Sequence, residues 1–248
     1  MQRAMQQVMQ NKGSAGVDGM SVSELPPHMK KNRDRIATMM CNGKYFPQFI
    51  LGVEIPKTSG KKRLLGIPTV TDRVLQQAVS QAIGLKFEQE FKKHSYGFRP
   101  NRNAQQAVQQ AHQNINEGYV HIVDIDLQNF FDEVNHCIIL ELVYRKVKCP
   151  LTLQLIRRWL RSPILINGKL TKRRKGVPQG SPLSPLLSNI MLHELDTELE
   201  KQGLKYVRYA DDFSIYTKSK SEARKAGNRI YLFLKNKLKL PINREKSG

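Results

Sequence analysis

Apolar positions change period several times along the chain, and each change marks an element. Residues 45–68, YFPQFILGVEIPKTSGKKRLLGIP, predict a β-hairpin with the basic KTSGKK at its tip. Val74, Leu75, Ala78, Val79, Ala82 and Ile83 then recur at helical spacing behind Asp72, which is suited to cap a helix. Ala104, Ala107, Val108, Ala111 and Ile115 define another helix, which Gly118 stops. The run YVHIVDIDL (119–127) predicts a strand, and QNFFDEVNHCIILELVYRK (128–146) mixes alternating and helical spacing. SPLSPLLSNIMLHELDTELEKQG (181–203) predicts a helix capped by Ser184, with Pro185 at its first position and Gly203 beyond its end. Two strand-forming runs about an acidic pair follow in VRYADDFSIY (207–216), then a helix over about 221–238 and a short final strand. Helices first and an acidic sheet later predict an α+β architecture, and no repeat, low-complexity tract or flexible linker interrupts it.

Charge changes this picture more than length does. The 248 residues carry 41 Lys plus Arg against 21 Asp plus Glu, a formal net charge of +20, while 40% are hydrophobic. A folded chain this basic calls for a polyanionic partner. Nucleic acid comes first and an anionic membrane surface a distant second. No apolar run approaches the ~18–20 residues of a membrane span, and no signal-like start is visible. Cys41, Cys137 and Cys149 are odd in number and lack paired ligand spacing, which points away from a disulfide framework or a zinc site and towards a reducing compartment.

Against this basic background the carboxylates stand out. Asp211 and Asp212 are consecutive, with Cα atoms ~3.8 Å apart, so both stay ionised only in water or facing a cation. A solvated turn and a cation site are the two readings. Asp124 and Asp126, two apart in a strand, share a face of an otherwise apolar run with Val120 and Ile122. Their burial would be expensive without a positive partner, either an arginine or a metal. Magnesium takes one or two carboxylates plus substrate phosphates, and two such ions about 3.5–4 Å apart serve phosphoryl transfer. One aspartate from this strand and one from the hairpin satisfy that need if the strands are neighbours.

YADD, the preceding VDIDLQNFFD and the intervening GVPQGSPLSPLLSNI together resemble the palm of a reverse transcriptase of the group II intron-encoded maturase type. The resemblance extends in order through NKGSAGVDGM, EIPKTSGKKRLLGIPTVTDRVLQQAV and SYGFRPNRNAQQAV, and so covers nearly the whole chain. It implies a right-hand polymerase fold: helical fingers with a β-hairpin over 1–118, and a palm with an antiparallel sheet packed on helices over 119–248, broken by a fingers excursion at about 145–176. No thumb-like helical region, DNA-binding tail or endonuclease segment with paired cysteines is expected in this sequence.

The same resemblance implies that Asp126, Asp211 and Asp212 are the catalytic residues and hold two Mg²⁺ ions, with Asp124 set aside because the family's ligand precedes a gating aromatic by five positions. That aromatic is Phe131, whose ring would clash with a 2′-hydroxyl; ordinary core packing is the alternative. Lys57 and Arg63 match the residues that clamp the triphosphate, with Lys62 as a neighbour, and a solvated basic turn is the local alternative. Gln179 and Gly180 of PQGSP border the nascent base pair. Arg99 of SYGFRP supports the template path or a structural turn, and Lys172, Arg173, Arg174 and Lys175 meet phosphate.

The implied function is RNA-directed DNA polymerisation on an RNA template with a DNA primer and deoxynucleoside triphosphates, together with binding of group II intron RNA to assist splicing and mobility. The alternative is an RNA-binding splicing cofactor with little or no polymerase activity. The expected setting is a bacterial cytoplasm or an organelle, without membrane contact; a homodimer is compatible with the sequence, which does not specify one.

Overall fold

The computed structural model describes residues 1–56, 62–243 and 247. Along them run α1 (Gln2–Gln10), α2 (Leu25–Cys41), β1 (Ile50–Pro56), β2 (Lys62–Ile67), α3 (Val70–Glu88), α4 (Ala104–Asn116), β3 (His121–Ile125) and α5 (Phe130–Glu133). There follow α6 (His136–Lys146), α7 (Pro150–Arg161), β4 (Ile164–Ile166), β5 (Lys169–Thr171), α8 (Ser184–Lys201), β6 (Lys205–Tyr209), β7 (Asp212–Thr217) and α9 (Lys220–Phe233), which continues into a π-helical turn at Leu234–Leu238. The chain forms two compact units, Met1–Leu85 with Leu140–Ser184, and Lys86–Ile139 with Pro185–Gly248. The resemblance implies divisions at 118 and at about 145–176; in the structure α4 and the SYGFRP segment lie in the second of these two units.

The first unit holds a four-stranded sheet in the order β2-β1-β4-β5, with β1 antiparallel to β2 and parallel to β4. Asn167 and Gly168, both at positive φ, make the turn between β4 and β5, the two-residue chemistry that closes a hairpin. Helix α3 begins at Val70, and Thr69 caps it by accepting the Asp72 N–H at 3.2 Å. The expectation that Asp72 caps this helix is therefore corrected: Asp72 lies inside the first turn. Its buried carboxylate accepts Tyr45 Oη and Trp159 Nε1 at 2.9 Å each, Thr69 Oγ1 at 2.9 Å and the Gln48 N–H at 3.2 Å. Burial nonetheless holds the Asp72 carboxyl above its ordinary range against those four donors.

The second unit is built on a three-stranded antiparallel sheet in the order β3-β7-β6. Helix α9 packs on β3 and β7, and α4 on β6. Helix α4 starts with a reciprocal capping box between Asn103 and Gln106 and ends ahead of Gly118 at φ +88, as its pattern predicts. Gly203, at φ +66, likewise follows the end of α8. Ser184 is already helical and its hydroxyl donates to the Pro178 carbonyl at 2.7 Å, so it does not act as the expected cap. The final strand is a single antiparallel bridge between Ile242 and Leu127. The observed combination of helices with one mixed and one antiparallel sheet is the α+β architecture that the pattern predicts.

Candidate active site

Strand register assembles the acidic site. Asp124 pairs with Ser214 and Ile125 with Phe213 across β3 and β7, and Asp126 and Asp212, the residues next to that last pair, line the same cleft. On β6, Val207 faces Ser214 and Tyr209 faces Asp212. Side chains alternate along each strand while cross-strand partners share a face. Asp124, Asp126, Ser214, Asp212, Val207 and Tyr209 therefore project together, and they line a cleft of about 410 Å³. Val120 just ahead of β3 and Ile122 within it are 59% and 40% exposed, Asp124 and Asp212 are exposed and Asp126 is half-buried, so water reaches these carboxylates. The burial cost expected for them does not arise. The Ser214 hydroxyl donates to Asp124, which ties that carboxylate to the neighbouring strand.

Asp211 occupies the β6–β7 turn with Ala210, since Tyr209 and Asp212 close the ladder. Ala210 adopts φ +58, unusual for a side chain with a Cβ. Its support lies on the opposite face of the sheet. Arg208, fully buried, pairs with Asp196 at 2.6 Å, and both side chains are 0% exposed. The same guanidinium donates to the Ala210 carbonyl at 2.8 Å, to Asn189 Oδ1 at 3.0 Å and to Ser95 Oγ at 2.6 Å. Gly97 abuts this turn so closely that a Cβ there would lie 2.2 Å from the Ala210 nitrogen. Sequence reasoning passes over Arg208, although a lone charge between Val207 and Tyr209 in a strand-forming run is a visible signal.

Asp126 is held from another direction. Asn243 donates its Nδ2 to Asp126 Oδ2 at 2.9 Å and its backbone N–H to the Asp126 carbonyl at 2.9 Å. Ser247 Oγ accepts the Asp126 N–H at 3.2 Å and donates to the Asn243 carbonyl at 2.8 Å. Neither Asn243 nor Ser247 carries a recognisable sequence signal. Phe131 sits in α5, 9% exposed, with its ring edge-on to Phe130 and to Phe98. Arg99 is turned inward: Glu88 takes its guanidinium at 2.7 Å, and the Lys92 and Ser95 carbonyls accept at 2.7 and 2.8 Å.

The remaining predicted residues belong to the first unit. Arg63 donates to Gln179 Oε1, bringing two of the expected nucleotide contacts together. Gly180 follows at φ +123, where a Cβ would meet the Gly66 carbonyl oxygen at 2.6 Å, and the Gly66 N–H donates to the Gln179 carbonyl at 2.8 Å. Glycine is needed there both for its backbone angle and for that close approach. Lys62 pairs with Glu54 at 2.6 Å on the surface. Lys172, Arg174 and Lys175 are exposed and Arg173 is partly covered. Lys57 lies outside the described residues.

Among the described residues, no group of three or more His, Cys, Asp or Glu side chains is gathered tightly enough to hold an ion unaided. The hard carboxylate oxygens of Asp126 and Asp212 in one cleft nevertheless suit a magnesium-type ion, which completes its shell with phosphate and water. Carboxylates gathered in one cleft disfavour one another's charge without such a counter-charge.

An antiparallel sheet presenting carboxylates beside a tight acidic turn, with helices behind it, defines a polymerase palm. Residues 55–248 match the family model described as reverse transcriptase (RNA-dependent DNA polymerase), and the chain belongs to that family. It is 29% identical to the group II intron-encoded protein LtrA of Lactococcus lactis subsp. cremoris over 98% of this chain and 51% of that protein. It is also 29% identical to protein YkfC of Escherichia coli strain K12, over 94% of this chain and 71% of that one. The chain thus spans about half the length of LtrA. Among solved structures, telomerase from Candida tropicalis in complex with a TWJ fragment of telomeric RNA aligns with a TM-score of 0.64 at 16% identity, covering 88% of this chain and 44% of that one. A partial Cas6-RT-Cas1–Cas2 complex aligns at 0.52 and 24% identity, covering 95% and 41%. These structural likenesses establish the shared fold.

Proposed function

We propose that the chain is the RNA-directed DNA polymerase part of a group II intron-encoded maturase, extending a DNA primer on an RNA template and binding intron RNA. The observation that carries this reading is the placement of Asp126 and Asp212 in one open cleft beside the Asp211 turn. Asp126, Asp211 and Asp212 would hold two magnesium ions, which when bound activate the attacking 3′-hydroxyl and stabilise the leaving pyrophosphate. The chain's own residues orient the reactants. Asn243 and Ser247 hold Asp126, and Arg208 fixes the turn carbonyl, so neither carboxylate needs to be ordered when nucleotide arrives.

Arg63, joined to Gln179, and Lys57 would take the triphosphate, and Gly180 lets backbone approach the nascent pair. Phe131 would exclude the 2′-hydroxyl. The inward guanidinium of Arg99 favours its reading as the brace of SYGFRP over a direct template contact. Lys172, Arg173, Arg174 and Lys175 would track phosphate. A bacterial cytoplasm or an organelle suits the expected reducing setting.

Binding of intron RNA without catalysis is the second reading, favoured by the net charge of +20. Primer extension on an RNA template with magnesium and deoxynucleotides separates the two. Extension should be lost by ~10²-fold or more in Asp211→Ala and in Asp126→Asn, with RNA retention kept in both. Equal extension by the substituted and unsubstituted chains excludes the polymerase assignment. Absence of extension by either, with RNA retained, leaves the splicing-cofactor reading.

A further inference from the structure

Phe98 is an aromatic residue in a conformation that bulky side chains seldom adopt. Its φ is +58 and half of its surface, 50%, is exposed, so burial of the ring does not account for the geometry. The loop around it is over-determined instead. Asn189 donates its Nδ2 to the Gly97 carbonyl at 3.0 Å and to the Phe98 carbonyl at 3.5 Å. Gly97 abuts Ala210, and Arg99 anchors the other side through Glu88 and two backbone carbonyls. Backbone strain held in this way concentrates where a side chain must be aimed.

The Phe98 ring is aimed at Phe131. Their centroids are 6.4 Å apart at an interplanar angle of 77°, an edge-to-face contact. On another side Phe131 meets Phe130 at 5.4 Å and 78°. Phe130 is 1% exposed and belongs to the core, whereas Phe98 is the exposed member of the trio. Among its aromatic contacts, the Phe131 ring thus has one core neighbour and one surface neighbour, the latter on a braced loop.

We infer that Phe98 is a positioning residue for sugar selection, fixing the Phe131 ring where it meets the 2′ position of an incoming nucleotide. This rests on the polymerase reading and on Phe131 as the group that excludes the 2′-hydroxyl. Because Asn189 also binds the Arg208 guanidinium at 3.0 Å, the loop that aims Phe98 and the turn that carries Asp211 share one anchor. Sugar selection and carboxylate placement are therefore linked through Asn189.

Single-nucleotide extension with deoxyribonucleotides and ribonucleotides, on the unsubstituted chain and on Phe98→Gly, Phe98→Leu, Phe98→Tyr and Phe131→Ala, tests this. Phe98→Gly and Phe98→Leu should reduce the deoxyribo-over-ribo ratio of kcat/KM about 10-fold, with the change carried by the ribonucleotide KM. Phe98→Tyr, which keeps the ring, should retain the ratio. Phe98→Gly suits a positive φ, so its thermal midpoint should not fall, which separates aim from general destabilisation. If Phe131→Ala loses discrimination and Phe98→Gly does not, the inference is overturned and the Phe131 reading stands. If Phe98→Gly slows both nucleotides equally, its role is structural and the inference is likewise overturned. Unchanged discrimination in Phe131→Ala removes the gate and this inference together, and no extension by the unsubstituted chain removes the polymerase reading as well.

Discussion

Arg208 places a full charge where water does not reach, and its guanidinium donates to Asp196, Asn189, Ser95 and the Ala210 carbonyl, all in the unit that carries Asp211. Removing one member of such a pair leaves the other charge buried alone, which costs about 3–5 kcal/mol. Arg208→Met should therefore destabilise the chain by that amount in urea unfolding. Adding Asp196→Leu should recover part of it, because two apolar groups can replace a buried pair; no recovery would show that the backbone contacts to Ala210 dominate. Gly97→Ala is expected to cost about 1–3 kcal/mol by overpacking against the Ala210 backbone, and an unaltered unfolding midpoint would argue against that close approach. The acidic residues themselves are legible in the sequence, because carboxylates in a basic chain need an explanation. The residues that hold them are not: Asn243 and Ser247 reach Asp126 only after the chain returns, and no local pattern encodes that return.

At the level of elements, helices α3, α4, α8 and α9 and both acidic strands follow from periodicity, although Leu187 to Leu192 of α8 are buried all round the helix. The β4–β5 hairpin escapes sequence reasoning although Asn167–Gly168 is a strong turn signal. Its strands are only three residues each, Ile164–Ile166 and Lys169–Thr171, and the second is exposed throughout, too short for alternation to show. Capping is read three positions late at Asp72 because an acceptor inside the first turn and a cap look alike in sequence; Thr69 supplies the real cap. Elements also meet at two covered histidines. His94 lies edge-on to Tyr206 and His193 on α8 lies against Phe91.

Burial is the first cause that lowers both imidazoles from their ordinary 6.5, aided by Lys93 at His94 and by Lys92 at His193, while Glu200 and Asp196 oppose it at His94 and His193 respectively. A depressed folded-state value means the unfolded chain binds these protons more readily. Stability from this pair is thus present above about pH 6.5 and declines as pH falls below it. Thermal unfolding from pH 8 to pH 5 should show that decline, and His94→Gln with His193→Gln should flatten it. An identical slope in the double variant would assign the pH response to other groups.

For the whole molecule, net charge is the governing quantity. With +20 overall, RNA binding through ~6–10 phosphate contacts should weaken ~10³–10⁵-fold between 50 and 200 mM salt. Lys172→Ser with Arg174→Ser should reduce the log–log salt slope by about 1.4–1.8, read by filter binding across a salt series. An unchanged slope would exclude these side chains from the phosphate path. Among the described residues no helix is long and apolar enough to cross a membrane. The three cysteines are exposed and unpaired with one another. Family membership was legible at this scale, because six separate motifs keep their order through the chain, whereas no single one of them would have sufficed.

The bridge from Ile242 to Leu127, with Asn243 closing on Asp126 across 117 positions of sequence, has a temporal side. During synthesis at ~5–20 residues per second, the first carboxylate emerges well before the amide that secures it. The loop between them must close before the cleft acquires its final shape, so this site matures late even though its acidic residues are made in mid-chain. A chain released before residue 243 would therefore carry Asp126 without its last fastening.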